Sequence, residues 1–313
     1  MSNPRPLFYS PIARSLYERM LRDQELQTFD RNAWYQVDVS QMPDEVLRST
    51  FLQCGFDDGT KAFIEHSEQK SGWFITQIIH SFARLFFGWF FTKTSLNGLL
   101  GRGAMFVFSR EQFLQLLRID ESEMTSSKAS SPPFTSLLDI GAGDGNVTAV
   151  IAPFFARVDV TEMSPVMRRL LVRRGFCVLD VDTWKPDTDG SQCPVTYDVI
   201  SCLNVLDRCE KPLSLLESIR SRMEPGRSRL VLAVVFPVSQ YVELGAPHNK
   251  PVEILHVRGK AFEEQVESFY NDILVPSGFV METWTRLPYL CEGDLEQAFY
   301  WLDDVVMVLR AAS

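Results

Sequence analysis

The chain has 313 residues, 45% of them hydrophobic and 23% charged, which excludes disorder over most of its length and leaves room for a substantial core. Its 40 acidic against 31 basic residues give a formal charge of -9, which opposes a polyphosphate backbone. Nucleic acid is therefore excluded as the expected partner, and a neutral or basic peptide fits the balance better. The 6 cysteines form no CxxC pair and the 4 histidines share no ligand spacing, so the thiols read as reduced and no metal is expected.

The opening Met-Ser-Asn-Pro-Arg-Pro lacks the apolar run of a secretory signal. A cytoplasmic protein is the default, with organelle or endomembrane association as the alternative. Residues 1–125 read as a helical N-terminal extension packing over the remainder, with helices at Tyr17–Gln27 and Asp44–Cys54. Trp73–Phe91 mimics a membrane span. Its Thr76, Gln77, His80, Ser81 and Arg84 nonetheless recur at helical spacing, as in a buried or docking amphipathic helix, so no stable span is expected. Glycines interrupt Asn97–Met105, Ser109 can cap a helix at Glu111–Ile119, and Glu121–Pro133 reads as a linker.

From residue 126 to 313, short apolar runs alternate with helical stretches. Strands are expected at Ser136–Ile140, Arg157–Thr161, Cys177–Val181, Val195–Cys202 and Arg229–Val235. Helices are expected at Asn146–Phe155, Pro165–Arg174, Leu213–Met223 and Phe262–Leu274. Gly278–Trp284 and Ala298–Leu309 complete the pattern, the second as an edge hairpin strand. Strand, helix, strand in this order implies right-handed crossovers. The expected fold is α/β and Rossmann-like: a mostly parallel sheet with helices on both faces.

Leu137-Leu138-Asp139-Ile140-Gly141-Ala142-Gly143-Asp144-Gly145 stands where the first of these strands becomes the first helix. Glycines there permit a tight turn and a close ligand, Gly141 and Gly143 above all. A dinucleotide site prefers G-x-G-x-x-G, which sets a pyrophosphate on the helix start. Here the turn is G-x-G-x-G between Asp139 and Asp144, poor company for a pyrophosphate but good company for an ammonium and a sulfonium. That points to S-adenosylmethionine, with S-adenosylhomocysteine as product, ahead of a NAD-like cofactor. Glu162, about 20 residues past the glycines, can grip the ribose hydroxyls. Asp182 can accept from the adenine amino group. Read singly, both could be solvated turn acids. Arg102 can pair the cofactor carboxylate or simply face solvent. The expectation is a class I methyltransferase.

The strand ending at Cys202 delivers Leu203-Asn204-Val205-Leu206-Asp207-Arg208-Cys209, and ligands of open parallel sheets bind beyond the carboxyl ends of the strands. Asn204 and Asp207 therefore stand where a methyl acceptor should wait. The Asn/Asp-Pro-Pro-Tyr/Phe pattern of enzymes that methylate exocyclic or amide nitrogens is absent.

The runs Ser71-Gly72-Trp73, Thr94–Gly103, Met105–Ser109, Asp139–Gly145, Asp198–Cys209, Thr285–Asp294 and Tyr300–Asp304 resemble the DREV-type methyltransferase-like proteins from Ala13 onward. Members with a leader segment carry it before the position of Ala13, and no such leader is expected here. The resemblance implies a protein-histidine methyltransferase that modifies the pros nitrogen in His-x-His segments with a small x; separately, a monomer is expected. It implies that Asn204, Asp207 and Tyr300 face the target imidazole and that Tyr289 and Glu292 line the peptide groove. Asp207 would accept the tele N–H and leave the pros lone pair free. The alternatives are that Asp207 caps the helix after Lys211-Pro212 and that Tyr300 is core. At the level of function they are a small-molecule methyltransferase acting on a histidine-like metabolite, or a non-catalytic adenosylmethionine-binding module.

Overall fold

Alternate residues of a strand point to opposite faces, so a sheet buried on both sides needs apolar residues in unbroken runs. The computed structural model describes residues 11–71, 103–119, 132–181, 184, 196–242, 247–293 and 297–312. Among these, eight strands form one sheet: β1 (Met105–Phe106), β2 (Phe134–Ile140), β3 (Phe155–Thr161), β4 (Cys177–Leu179), β5 (Val199–Leu203), β6 (Arg229–Phe236), β7 (Phe279–Glu292) and β8 (Phe299–Ala311). Their order across the sheet is β1-β7-β8-β6-β5-β2-β3-β4. Pairings within β4-β3-β2-β5-β6 are parallel, whereas β8 is antiparallel to both β6 and β7. Strands β2 to β7 thus share one direction, and β8 runs back between two of them.

Leu137, Val199, Val231, Val306 and Val308 enter one apolar layer. Their neighbours Leu138, Ile200, Leu230, Leu232, Met307 and Leu309 enter the other. The described α-helices are α1 (Pro11–Thr28), α2 (Glu45–Thr50), α3 (Asp58–Ser71), α4 (Arg110–Leu116), α5 (Asn146–Ile151), α6 (Pro165–Arg173), α7 (Pro212–Ser221) and α8 (Phe262–Phe269). Ile64, Phe113 and Ile151 bring α3, α4 and α5 to the first layer. Leu47, Leu216 and Phe269 bring α2, α7 and α8 to the second. The fold is the expected Rossmann-like α/β arrangement, with helices on both faces.

Three expectations change in detail. The strand Ala298–Leu309 was expected at an edge, but β8 is interior, and its run Val305–Leu309 is buried on both faces as an interior strand requires. The N-terminal part, expected to be helical, also supplies β1, which pairs with the end of β7. Its helix over Asp44–Cys54 is shorter. Asp44 Oδ1 caps it by accepting from Leu47 N–H at 3.0 Å, and it ends at Thr50. Trp73–Phe91, Arg102, Asp182 and most of Glu121–Pro133 lie outside the described residues. Among the described residues no helix is long and apolar enough to cross a membrane.

After α2 the chain runs against β7: Leu52 N–H donates to the Trp284 carbonyl at 2.8 Å, and Trp284 Nε1 donates to the Leu47 carbonyl at 2.7 Å. Trp284 is 0% exposed, so removing its N–H strands a buried acceptor. Trp284→Phe is expected to cost about 1–3 kcal/mol, seen as a lower urea midpoint at unchanged slope. An unchanged midpoint would show that this bond adds nothing to the fold.

Candidate active site

At the end of β2 the chain turns through Gly141, Gly143 and Gly145 with φ of +71°, +58° and +79°, the left-handed region that favours glycine. A Cβ on Gly141 would stand 2.5 Å from Val205 Cγ2, and one on Gly145 2.8 Å from Leu171 Cδ2. One on Gly143 would meet nothing within 4 Å. The first glycine therefore lets the loop after β5 sit on the turn, and the third admits α6. The middle one faces open space. Glu162, half-buried at the end of β3, stands at that opening: its Oε2 accepts from Gly143 N–H at 3.0 Å and its Oε1 from Ser164 N–H at 2.8 Å.

The two carboxylates that bracket the turn do not face the opening, contrary to the reading of the motif. Asp139 is only 2% exposed and accepts from Ser201 Oγ and Thr148 Oγ1, both at 2.6 Å. Burial pushes its carboxyl up to about 6, against those two hydrogen bonds. Asp144 accepts from the Asn146 backbone N–H at 2.9 Å and from its side-chain amide, which fixes the start of α5. Both acids hold the turn itself. A ligand cation would meet Glu162 instead.

On the other side of Gly141, Asn204 ends β5 with φ +56°, a conformation that Asn tolerates better than most residues. Its backbone N–H donates to Ala233 O at 2.9 Å, and its Nδ2 donates to Asp304 Oδ2 at 2.8 Å. Asp207 is 1% exposed, with Oδ2 3.2 Å from Arg208 Nε and its carbonyl accepting from Tyr241 N–H. Burial pushes the Asp304 carboxyl up to about 8; the bond from Asn204 opposes this and the Asp207 charge adds to it. Burial also raises the Asp207 carboxyl, with Arg208 opposing. Asn204 Oδ1, Asp207 Oδ1 and Asp304 Oδ1 are buried and have no partner among the described residues. Unpaired buried polar atoms are costly, and the two acceptors among them, Asn204 Oδ1 and Asp207 Oδ1, suit N–H or O–H donors.

Asp207 is not the cap of α7. That work falls to Glu253, whose carboxylate accepts from Leu213 N–H at 2.7 Å and Ser214 N–H at 2.9 Å. Tyr300 is 38% exposed and not core. It lies past the carboxyl end of β6, on the strand face that by alternation also carries Asp304. Tyr289, half-buried opposite Leu302, sets its hydroxyl against Met105 Sδ; burial raises that hydroxyl, with Cys291 and Asp304 adding to the effect. Glu292, expected in a peptide groove, is engaged internally. It meets Lys70 Nζ at 2.7 Å and accepts from Gly103 N–H at 3.1 Å and Ala104 N–H at 3.3 Å. The residue that the motifs did not single out is Asp304, although it sits inside the run Tyr300–Asp304.

A family model described as DREV methyltransferase matches residues 34–311. The mitochondrial ubiquinone biosynthesis O-methyltransferase of Schizosaccharomyces pombe is 31% identical over 105 residues, 32% of this chain and 37% of that protein. The ubiquinone biosynthesis O-methyltransferase of Idiomarina loihiensis is 27% identical over 93 residues, 29% of this chain and 38% of that protein. The chain thus spans under two fifths of the curated relatives it matches. Among solved structures, the N-methyltransferase NodS of Bradyrhizobium japonicum, in complex with S-adenosyl-l-homocysteine, is 16% identical with a TM-score of 0.38. That similarity covers 65% of this chain and 87% of the other. It bears on neither substrate nor chemistry.

The Asp304 carboxyl titrates near ~3.9 when unfolded and at about 8 in the fold, so the native state holds its proton more tightly. Its contribution to stability is complete below about pH 4 and is lost as pH rises toward about 8. Asp304→Asn cannot ionise. Its melting temperature is therefore expected to gain on the wild type steadily across that window and to level off above it, as scanning calorimetry at four pH values would show. A constant difference between the two proteins would contradict the buried, protonated carboxyl.

Proposed function

Since the chain belongs to the DREV methyltransferase family, we propose that its methyl acceptor is the pros nitrogen of histidine in His-x-His protein segments with a small x. The observation that carries the acceptor reading is the cluster of three unpartnered buried oxygens on Asn204, Asp207 and Asp304, one loop away from the glycine turn. S-adenosylmethionine, when bound, supplies the activated methyl group and leaves as S-adenosylhomocysteine. The residues fit it. Gly143 presents open backbone, Glu162 offers a carboxylate beside it for the ribose hydroxyls, and Val205, next to Asn204, closes the other side over Gly141. Arg102 and Asp182 are proposed for the cofactor's carboxylate and adenine ends. Asp139 acts from behind the turn, by holding it.

Each acceptor residue has a physical task. A neutral imidazole has one N–H and one lone pair, and only the nitrogen with the lone pair can attack. Asp207 Oδ1 accepts the tele N–H and so leaves the pros nitrogen free. Its charge also stabilises the imidazolium that forms as the methyl arrives, much as an aspartate steadies a triad histidine. Asn204 Oδ1 accepts a second N–H, from the ring or from the peptide backbone. Tyr300, partly exposed at the rim, walls the pocket on the side from which a protein chain arrives. In-line transfer then depends chiefly on orientation.

Gly143→Val tests the cofactor site. The added side chain enters open space, so the protein is expected to fold, with a penalty of about 1–2 kcal/mol for the left-handed backbone, and to lose S-adenosylmethionine binding by calorimetry. Binding at wild-type affinity would move the cofactor away from this turn.

The acceptor is tested by methyl transfer to His-Ala-His, His-Leu-His and His-Trp-His peptides, with mass spectrometry and NMR locating the modified nitrogen. Transfer to the pros position, fastest for Ala, is expected; equal rates for all three would remove the small-x requirement. Asp207→Asn should lower kcat by about 10² or more at unchanged cofactor affinity, the usual scale for a positioned acid–base group. A mutant with only a raised KM would make Asp207 a peptide contact.

A further inference from the structure

Resting on the histidine reading, and going beyond it, we propose that Asp304 is a positioning residue for the transfer. It holds the Asn204 amide by its Nδ2, so that the Asn204 oxygen faces the acceptor and receives an N–H from it. A side-chain amide can present either its donor or its acceptor end, and the network around it decides which. Here the decision is made by one bond, Asn204 Nδ2 to Asp304 Oδ2 at 2.8 Å. The other end, Oδ1, is buried without a partner.

Asp304 is well placed to dictate this. It is 0% exposed on interior strand β8, opposite Val235 of β6 and Leu287 of β7, so its backbone is held from both sides. The Asn204 backbone is equally constrained, by φ +56° and by its bond to Ala233 O. Two fixed backbones joined by one side-chain bond leave the amide no freedom to turn.

The charged and titratable neighbours that act on Asp304 and its surroundings are Asp207 and Tyr289, with Arg208 and Cys291 beyond them. Burial keeps a proton on Asp304 up to about 8, its Oδ2 still accepting from Asn204, whereas Asp207 has the Arg208 guanidinium 3.2 Å from its Oδ2 as a counter-charge. The pocket then offers an amide oxygen and one carboxylate. That combination suits a ring or peptide segment that donates two N–H groups and gains one positive charge. It selects against an acceptor with only lone pairs to present, because the buried oxygens would stay unpaired.

Two substitutions separate positioning from bulk. Asp304→Leu fills the space but offers Asn204 no acceptor; kcat on a His-Ala-His peptide is expected to fall about tenfold or more, with S-adenosylmethionine affinity unchanged. Asp304→Asn returns a carbonyl oxygen to the Asn204 amide and is expected to recover most of that loss. Wild-type kcat in the Leu variant, or an Asn variant no better than Leu, would overturn the proposal. Side-chain amide NMR reads the same bond without any substrate. The Asn204 NH2 should exchange slowly with solvent in the wild type and the Asn variant, with its bonded proton shifted away from the free-amide position, and should exchange faster, at free-amide shifts, in the Leu variant. A fast-exchanging Asn204 amide at free-amide shifts in the wild type overturns the proposal by itself, even if the Leu variant does not fold. Should the wild type leave histidine peptides unmethylated while its Asn204 amide is locked, the histidine reading fails and the orientation stands.

Discussion

Asp139 is almost wholly buried, yet three parts of the site meet at its carboxylate. It belongs to β2, which it leaves just before the glycine turn. Parallel pairing sets it opposite Ser201 on β5, whose hydroxyl it accepts at 2.6 Å, while Thr148 on α5 donates at the same distance. The turn, the helix that follows it and the strand that delivers Asn204 and Asp207 are thereby tied to one buried point. Val205, seated where Gly141 has no side chain, closes the same joint from above. Burying a carboxylate is unfavourable unless its hydrogen bonds are made, and here both oxygens are served. A half of the site that shifted would have to break one of them.

The second constraint is electrostatic. Two carboxyl groups in one dry cluster cannot both stay ionised at low cost, and the chain separates them by surroundings. Asp207 keeps Arg208 within 3.2 Å, and Arg208 reaches solvent. Asp304 accepts from the Asn204 amide, lies near the Asp207 charge, and retains its proton up to about 8. The result is a protonated carboxyl on Asp304 beside the carboxyl of Asp207, which is paired with Arg208. Elsewhere the acids and bases are used more plainly: Glu253 caps α7, and Glu292 joins the ends of α3 and β7 through Lys70.

Much of the scaffold was legible in the sequence, because period-two and helical patterns are local properties. The glycine turn, the order of strands and helices, and the position of Asn204 and Asp207 beyond a strand end all follow from such patterns. The interior place of β8 does not, since which strand neighbours which is a long-range fact; the unbroken run Val305–Leu309 was its one local sign. Asp303 and Asp304 look alike as adjacent acids. The pleat sends one to Arg286 at the surface and the other into the core, a difference that depends on register alone. The same holds for Asp139 and Asp144, whose partners Ser201, Thr148 and Asn146 could not be assigned without the fold. Glu292 shows the converse: a residue inside a specific motif can serve packing.

The most direct measurement is the structure of the protein with S-adenosylhomocysteine and a His-x-His peptide bound together. The target imidazole is expected to donate its tele N–H to Asp207 Oδ1 at about 2.7–3.2 Å and to turn its pros nitrogen toward the opening over Gly143. Asn204 Oδ1 should receive a second N–H from the ring or the peptide. A complex in which the imidazole lies elsewhere, and Asn204 Oδ1 and Asp207 Oδ1 remain without donors, would contradict the assignment of this cluster as the acceptor site.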